Sequence, residues 1–272
     1  MYRIGHTSTG RPPHPVPDDV IGQTLEADKM SAEQSTFHWN TVMAPVQQHL
    51  SEYLGKSFKH MLIDSYEAGY QSWTPNFRSE FQKLKGYDPL PWIVSMGQPV
   101  TGDENIKKPL RVIVSDELTK RFEWDYYDVI NHLFFENGFN IGKEILAKNK
   151  LSLQFEPYGG PFNTSQGVAL ADLPMGEFWT YSSGEISSII PATARSAGKK
   201  VVGAEAFTGW PTNSMYTEDP AYLKKSADGS FASGVNRLIL HHWVHQPFDD
   251  KYQPGMSMGW WGNTFRKKSN MV

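Results

Sequence analysis

From Leu151 onward the chain repeats one pattern: a short apolar run, a polar residue at its end, and then a new run after a turn or helix. Leu151-Ser152-Leu153-Gln154-Phe155 leads into Glu156-Pro157-Tyr158-Gly159-Gly160, and Glu177-Phe178-Trp179-Thr180 is the next run. Lys200-Val201-Val202-Gly203-Ala204 leads into Glu205-Ala206-Phe207, and Asn236-Arg237-Leu238-Ile239-Leu240 into His241-His242-Trp243. A helix is expected over 185–197, between the second and third runs. Strand, polar end, helix and strand again is the βα unit, and its repetition builds a parallel sheet. His60-Met61-Leu62-Ile63-Asp64 reads as an earlier strand and Tyr2 to Thr7 as a first, which makes six. A closed (β/α)8 barrel has two more. The expected fold is therefore an α/β TIM-like barrel, incomplete on its N-terminal side. The whole of 1–272 is expected to form this one domain, the later strands of a longer barrel.

Helices are expected elsewhere. Ser31 opens one whose apolar positions Phe37, Val42, Val46, Leu50 and Leu54 keep near-helical spacing until Gly55. A second runs from Pro75 to Lys85 and stops at Gly86. The longest runs from Ser115 to about Lys148, with a break expected near Gly138 and a wide apolar face at Phe122, Tyr126, Val129, Ile130, Leu133 and Phe134. The prolines between Arg11 and Pro17 forbid regular structure, and Pro89 to Pro109 reads as an irregular excursion.

Composition removes several classes of function. The 272 residues carry 26 Lys+Arg against 29 Asp+Glu, a net charge of −3, so nothing draws the chain to nucleic acid or to an anionic membrane. No stretch approaches the apolar length of a membrane span, and the opening residues lack the apolar run of a signal peptide. With no cysteine there is no disulfide scaffold, thiolate metal site or cysteine nucleophile. Aromatic residues reach 13%, with 9 Trp, many beside Gly, Pro and carboxylates. Such faces suit sugar rings, whose C–H surfaces stack while their hydroxyls take hydrogen bonds.

A parallel barrel presents side chains at the C-terminal ends of its strands to one shared site. Here those ends supply Asp64 and Glu67, then Glu156, Glu177, Glu205, and finally His241 and His242. Several carboxylates on one rim fit glycoside hydrolysis, which needs a protonated acid for the leaving oxygen and a carboxylate as base or nucleophile. No P-loop, GxGxxG turn or HExxH helix competes. Any single one of these carboxylates is more often a solvated or hydrogen-bonded surface group; the convergence carries the reading. His241, His242 and His245 could be drawn as a metal site, yet adjacent strand residues point to opposite faces. One is read as a sugar contact and the other as packed or solvated, without zinc.

These residues resemble glycoside hydrolase family 106, the α-L-rhamnosidases and their relatives. Asp64-Ser65-Tyr66-Glu67-Ala68-Gly69 with Trp73-Thr74-Pro75-Asn76-Phe77 is similar to the family's "DSYE-G-x-NWTPxF" block. Gly86-Tyr87-Asp88, Arg121-Phe122 with Asp125, Glu156 to Gly160, Pro174 to Trp179, and Gly198 to Val202 before Ala204-Glu205-Ala206-Phe207 continue the likeness in order. Asn236-Arg237, His241, His245-Gln246-Pro247 and Pro254 to Gly259 close it, and Gly5 to Gly10 and Glu26 to Ser31 open it. One departure is Gln71-Ser72-Trp73, where the family reads closer to Gln-Asn-Trp, a change that adjusts a loop or removes a polar sugar contact. The resemblance implies a (β/α)8 catalytic domain, calcium dependence, and inverting hydrolysis of terminal α-L-rhamnosyl or related deoxysugar units. It implies an oligosaccharide or polysaccharide from plant-type glycans as substrate, and a periplasmic or extracellular location.

Among the carboxylates, Glu156 is the first choice for acid or base, because it follows a buried strand and sits in a Pro-Tyr-Gly-Gly turn. Its partner is Glu67 or Glu205. Glu177 and Asp64 are candidates for sugar hydroxyls or for calcium, which favours hard oxygen ligands. Trp73, Tyr158, Trp179 and Trp210 are candidate stacking platforms, and His241 and His245 candidate sugar contacts. The alternatives are a barrel that binds carbohydrate without cleaving it, and an inactive fragment.

Overall fold

The computed structural model describes residues 4–8, 10, 24–96, 113–180, 187–214, 218–241, 244, 245 and 247. The chain divides into two compact units. One comprises Met1–Lys59, Tyr66–Leu151 and Gly159–Phe162; the other comprises His60–Ser65, Ser152–Tyr158 and Asn163–Val272. The proline-rich stretch 11–17 and most of 89–109 lie outside the described residues.

The first unit is built on helices. Helix α1 (Ala32–Leu50) starts where Ser31 accepts the amide of Gln34 on its side chain at 3.3 Å. It ends four residues before the expected Leu54, in a 3-10 turn, Ser51–Tyr53. Helix α2 (Phe77–Lys85) stops at Gly86, which takes the left-handed conformation at φ +79° that glycine adopts without strain. Helix α3 (Asp116–Leu133) is capped by Ser115 and continues through a π-helical turn, Phe134–Phe139, into α4 (Asn140–Lys148). The expected break near Gly138 is thus a widened turn inside one continuous helical run. A Cβ on Gly138 would stand 2.8 Å from the Lys29 carbonyl oxygen. The Asn137 side chain donates to the Met30 carbonyl at 2.8 Å. The turn therefore seats the neighbouring Lys29-Met30 backbone. Phe77, Phe81, Phe122 and Tyr126 interlock as rings 4.9–6.1 Å apart, each buried ring contributing about 1.5–3 kcal/mol of apolar burial.

The second unit carries an open sheet of five strands, all parallel and in sequence order. These are β1 (His60–Ile63), β2 (Ser152–Phe155), β3 (Leu173–Trp179), β4 (Gly203–Thr208) and β5 (Arg237–Leu240). An incomplete barrel has this sequential parallel order. Among the described residues the count is five where the sequence reading expects six: residues 4–8 of the expected first strand form no strand, and Tyr2 and Arg3 lie outside the described residues.

Two strands depart from expectation by more than one residue. β3 begins at Leu173, because Pro174 is tolerated near a strand start. β4 runs from Gly203 to Thr208, since its small residues Gly203, Ala204 and Ala206 gain from tight burial what they lack in strand propensity. Helices α5 (Thr164–Leu170), α6 (Ile189–Ser196), α7 (Pro211–Ser214) and α8 (Pro220–Ser233) fill the crossovers. Helix α8 begins with Asp219 accepting the Tyr222 amide at 2.8 Å and ends at Gly234, φ +115°. One apolar cluster joins Phe178, Ala204, Ala206, Phe207, Leu223, Ala227 and Val235. Alternation along the strands sends Leu153 and Phe155 into the core, and leaves Gln154 and Glu156 on the opposite face.

Candidate functional site

That opposite face gathers acid at the C-terminal ends of the strands, the usual place for a site in a parallel sheet. Asp64 directly follows β1 and Glu156 directly follows β2. Glu177 and Glu205 stand opposite one another in the β3–β4 register, and His241 directly follows β5. One carboxylate oxygen from each of Asp64, Glu156 and Glu205 lies within 4.8 Å of the others. Asp64 is exposed, Glu205 half-buried and Glu156 0% exposed. The Glu156 amide donates to the Ile63 carbonyl at 3.0 Å, which ties the residue to the end of β1.

Burial raises the Glu156 carboxyl to about 9; the Tyr158 hydroxyl as donor opposes this, and Asp64 and Glu205 add to the rise. Glu156 is therefore a protonated acid at neutral pH. The Tyr158 phenol oxygen stands 2.7 Å from Glu156 Oε2 and 2.9 Å from Glu177 Oε2. A phenol has one hydrogen to give. With the phenol's hydrogen given to one carboxyl, a proton held on Glu156 lets both contacts be hydrogen bonds, in keeping with its raised pKa. Burial raises the Tyr158 phenol far above its ordinary range, with both glutamates reinforcing the effect, so it stays protonated. On its other oxygen Glu177 accepts the indole N–H of Trp179.

Glu205 Oε1 accepts the Thr208 hydroxyl at 3.0 Å and lies 4.0 Å from His241 Nε2. Burial lowers the His241 pKa, with the charges of Asp64 and Glu177 pulling the other way, so the imidazole is neutral at neutral pH. Trp179 packs on Trp210, centroids 5.4 Å apart, and Trp210 is 39% exposed. This pair offers the aromatic face that a sugar ring uses.

The sequence-expected residues thus divide. Asp64, Glu156, Tyr158, Glu177, Trp179, Glu205 and His241 share the sheet unit and surround one acidic cluster. Tyr158 does so as a hydrogen-bonding bridge rather than as the expected stacking platform: its ring packs on Val168, Ile190, Ala194 and Val202. Glu67 and Trp73 belong to the helical unit. Glu67 is exposed, while Trp73 has His6 stacked at 5.8 Å and Phe77 at 4.9 Å, so its ring already has aromatic neighbours. Gln71, beside the departure from the family motif, binds the Asp28 carboxylate and accepts the Lys29 amide, a structural duty. His245 is exposed in the coil beyond β5, and His242 lies outside the described residues. The sequence reading missed Thr208.

The donor set bears on calcium, which the family resemblance implies. Three carboxylates at this separation are hard oxygen ligands of the type the ion takes. Within that group Glu156 Oε1 is buried without a hydrogen-bond partner, a polar atom that a nearby cation would satisfy. The residues fit.

Known proteins resemble this chain over nearly its whole length. A solved structure, the rhamnosidase from Novosphingobium sp. PP1Y, superposes with a TM-score of 0.78 at 25% identity, over 95% of this chain and 24% of that one. A protein of Formosa agariphila titled "Putative beta-glucuronidase" is 35% identical over 269 residues, 98% of this chain and 22% of that protein. The chain therefore spans about a quarter or less of the length of these relatives. The family model for alpha-L-rhamnosidase, glycoside hydrolase family 106, matches residues 1–271. The chain belongs to glycoside hydrolase family 106.

Proposed function

We propose that the acidic cluster is the reaction centre of a glycosidase that removes terminal α-L-rhamnosyl or closely related deoxysugar units from glycans. Glu156 is its general acid. One observation carries this: a carboxyl with no exposed surface, raised to about 9, at the C-terminal rim of a parallel sheet beside other carboxylates. A glycosidic oxygen leaves as an alcohol only if a proton reaches it as the bond breaks, and Glu156 holds that proton at neutral pH. Tyr158 orients the acid. Glu177, held by Trp179 and Tyr158, and His241 are placed for sugar hydroxyls, with the Trp179–Trp210 pair as the apolar platform.

The family name supports rhamnose, and the acidity of the cluster supports a neutral sugar over the glucuronic acid in the name of the Formosa relative. A uronate among these carboxylates meets like charge. Inversion, implied by the family, needs a base roughly 6.5–9.5 Å from the acid to admit a water. Glu205 approaches Glu156 more closely than that at their nearest oxygens. Loss of kcat in Glu67→Gln or in Glu205→Gln, read beside the anomer released, identifies the base. Calcium belongs to the proposal: Asp64 and Glu205 would hold it beside the protonated Glu156, where it would offset their charge and bind sugar hydroxyls.

The proposal extends to closure of the sheet as a (β/α)8 barrel and to an exported protein, both resting on the family. No described helix is long and apolar enough to cross a membrane.

The test exploits the leaving group. Glu156→Gln should lose roughly 10²–10⁴-fold in kcat on alkyl α-L-rhamnosides, whose leaving oxygen needs a proton. It should lose far less on a dinitrophenyl α-L-rhamnoside, whose phenolate leaves unaided. Equal losses on both would remove Glu156 from the acid's role, and cleavage of an aryl β-D-glucuronide in place of the rhamnoside would overturn the substrate.

A further inference from the structure

Side chains three apart on a regular strand face opposite sides of the sheet, so Glu205 and Thr208 should not meet. They meet because β4 is bulged. Ala206 pairs with Phe178 and Thr208 with Trp179, which leaves Phe207 as the extra residue, at φ +71°. Ala204, Ala206 and Phe207 consequently all enter the apolar cluster, with Phe207 edge-on to Phe178 at 5.2 Å. Thr208 is turned to the side of Glu205, and its hydroxyl donates to Glu205 Oε1 at 3.0 Å.

The arrangement is fixed from several directions. The Thr208 carbonyl accepts the Thr180 amide at 2.9 Å. The Thr180 hydroxyl donates to Glu218 at 2.6 Å, with Thr180, Thr208 and Glu218 all buried. The Ala206 carbonyl accepts the His241 amide at 2.9 Å. A bulky residue held at positive φ is a conformation that tightly packed surroundings must enforce, and such conformations cluster at functional sites. The terminal torsion of a glutamate is broad, so a fixed hydroxyl decides the plane of its carboxylate.

We propose that Thr208 is a positioning residue: the β4 bulge exists to aim its hydroxyl at Glu205 and so set the plane in which Glu205 faces Glu156 and Asp64. This rests on the glycosidase reading above. The test compares Thr208→Val, which keeps the shape and removes the hydroxyl, with Thr208→Ser, which keeps the hydroxyl, in the full 272-residue chain. Glu156→Gln serves as the control. Hydrolysis of an alkyl α-L-rhamnoside, whose leaving oxygen needs the acid's proton, and thermal melting are both read.

Thr208→Val is expected to lower kcat about 10–100-fold, the usual effect of losing a residue that orients a site ligand. KM stays within about twofold and the melting temperature within a few degrees. Thr208→Ser returns kcat to within about threefold of the parent, because the hydrogen bond is restored. Parent-like kcat in Thr208→Val, or equal losses in both variants, overturns the positioning role and leaves the glycosidase reading standing if Glu156→Gln is inactive. A folded parent no more active than Glu156→Gln overturns the glycosidase reading, and the positioning role with it.

Discussion

Glu156 shows how one side chain's surroundings write a pH dependence for the molecule. Its carboxyl titrates near 9 in the folded chain against an ordinary value of 4.5. Between these values the native state keeps a proton that the unfolded chain has released, so stability falls as pH rises through the window. The limiting slope is roughly 1.4 kcal/mol per pH unit. Glu156→Gln carries no such proton. Its melting temperature should gain steadily on the parent from pH 5 to pH 9; a constant gap across that range would mean the carboxyl is ionised in the fold. Glu156 is legible in sequence because an apolar run and a Pro-Tyr-Gly-Gly turn frame it. Tyr158 is legible as an aromatic near acid but not as the bridge between two carboxyls, since that depends on where β3 lies beside β2. Thr208 carries no signal at all: its spacing from Glu205 points the wrong way unless a bulge intervenes, and Phe207 is not the glycine that announces one.

Helices read from spacing and caps match the sequence best: Ser31, Ser115 and Gly86 mark boundaries where the chain obeys them. Strands match less well, because small residues such as those of β4 reveal burial only once the helices cover them. Two glycine substitutions probe these elements. In α4, a Cβ on Gly142 would come within 2.4–2.5 Å of three atoms of the Trp39 indole on α1, a rigid ring with no free end to swing aside. Gly142→Ala gains about 1 kcal/mol of helix propensity but forces an overpacking cost of about 1–3 kcal/mol. The clash wins, and the urea midpoint should fall; a rise would show that Trp39 moves freely. In β4, Phe207→Gly relieves about 1–3 kcal/mol of positive-φ strain and loses about 3–5 kcal/mol of buried ring. Net destabilisation of about 2 kcal/mol is expected in the same assay, and stabilisation would mean that strain outweighs packing at the bulge.

At the scale of the molecule, the sequential order of parallel strands was readable from the repeated apolar run and polar end, whereas the division into a helical unit and a sheet unit was not. The reason is that the helical unit joins Met1–Lys59 to Tyr66–Leu151, segments separated in sequence by β1, and no local pattern announces that they pack together. Charge is also organised at this scale. Three carboxylates in one cluster repel each other unless a proton or a cation intervenes. Millimolar calcium should therefore raise the melting temperature of the parent by mass action, and chelator should reverse it. Asp64→Asn should blunt the response; an equal shift in both would place the ion elsewhere. The most direct test of the whole account is release of rhamnose from an alkyl α-L-rhamnoside by the parent and by Glu156→Gln, with calcium and with chelator. The account predicts release by the parent in calcium, little in chelator, and loss of about two orders of magnitude or more in Glu156→Gln. A variant as fast as the parent would contradict it.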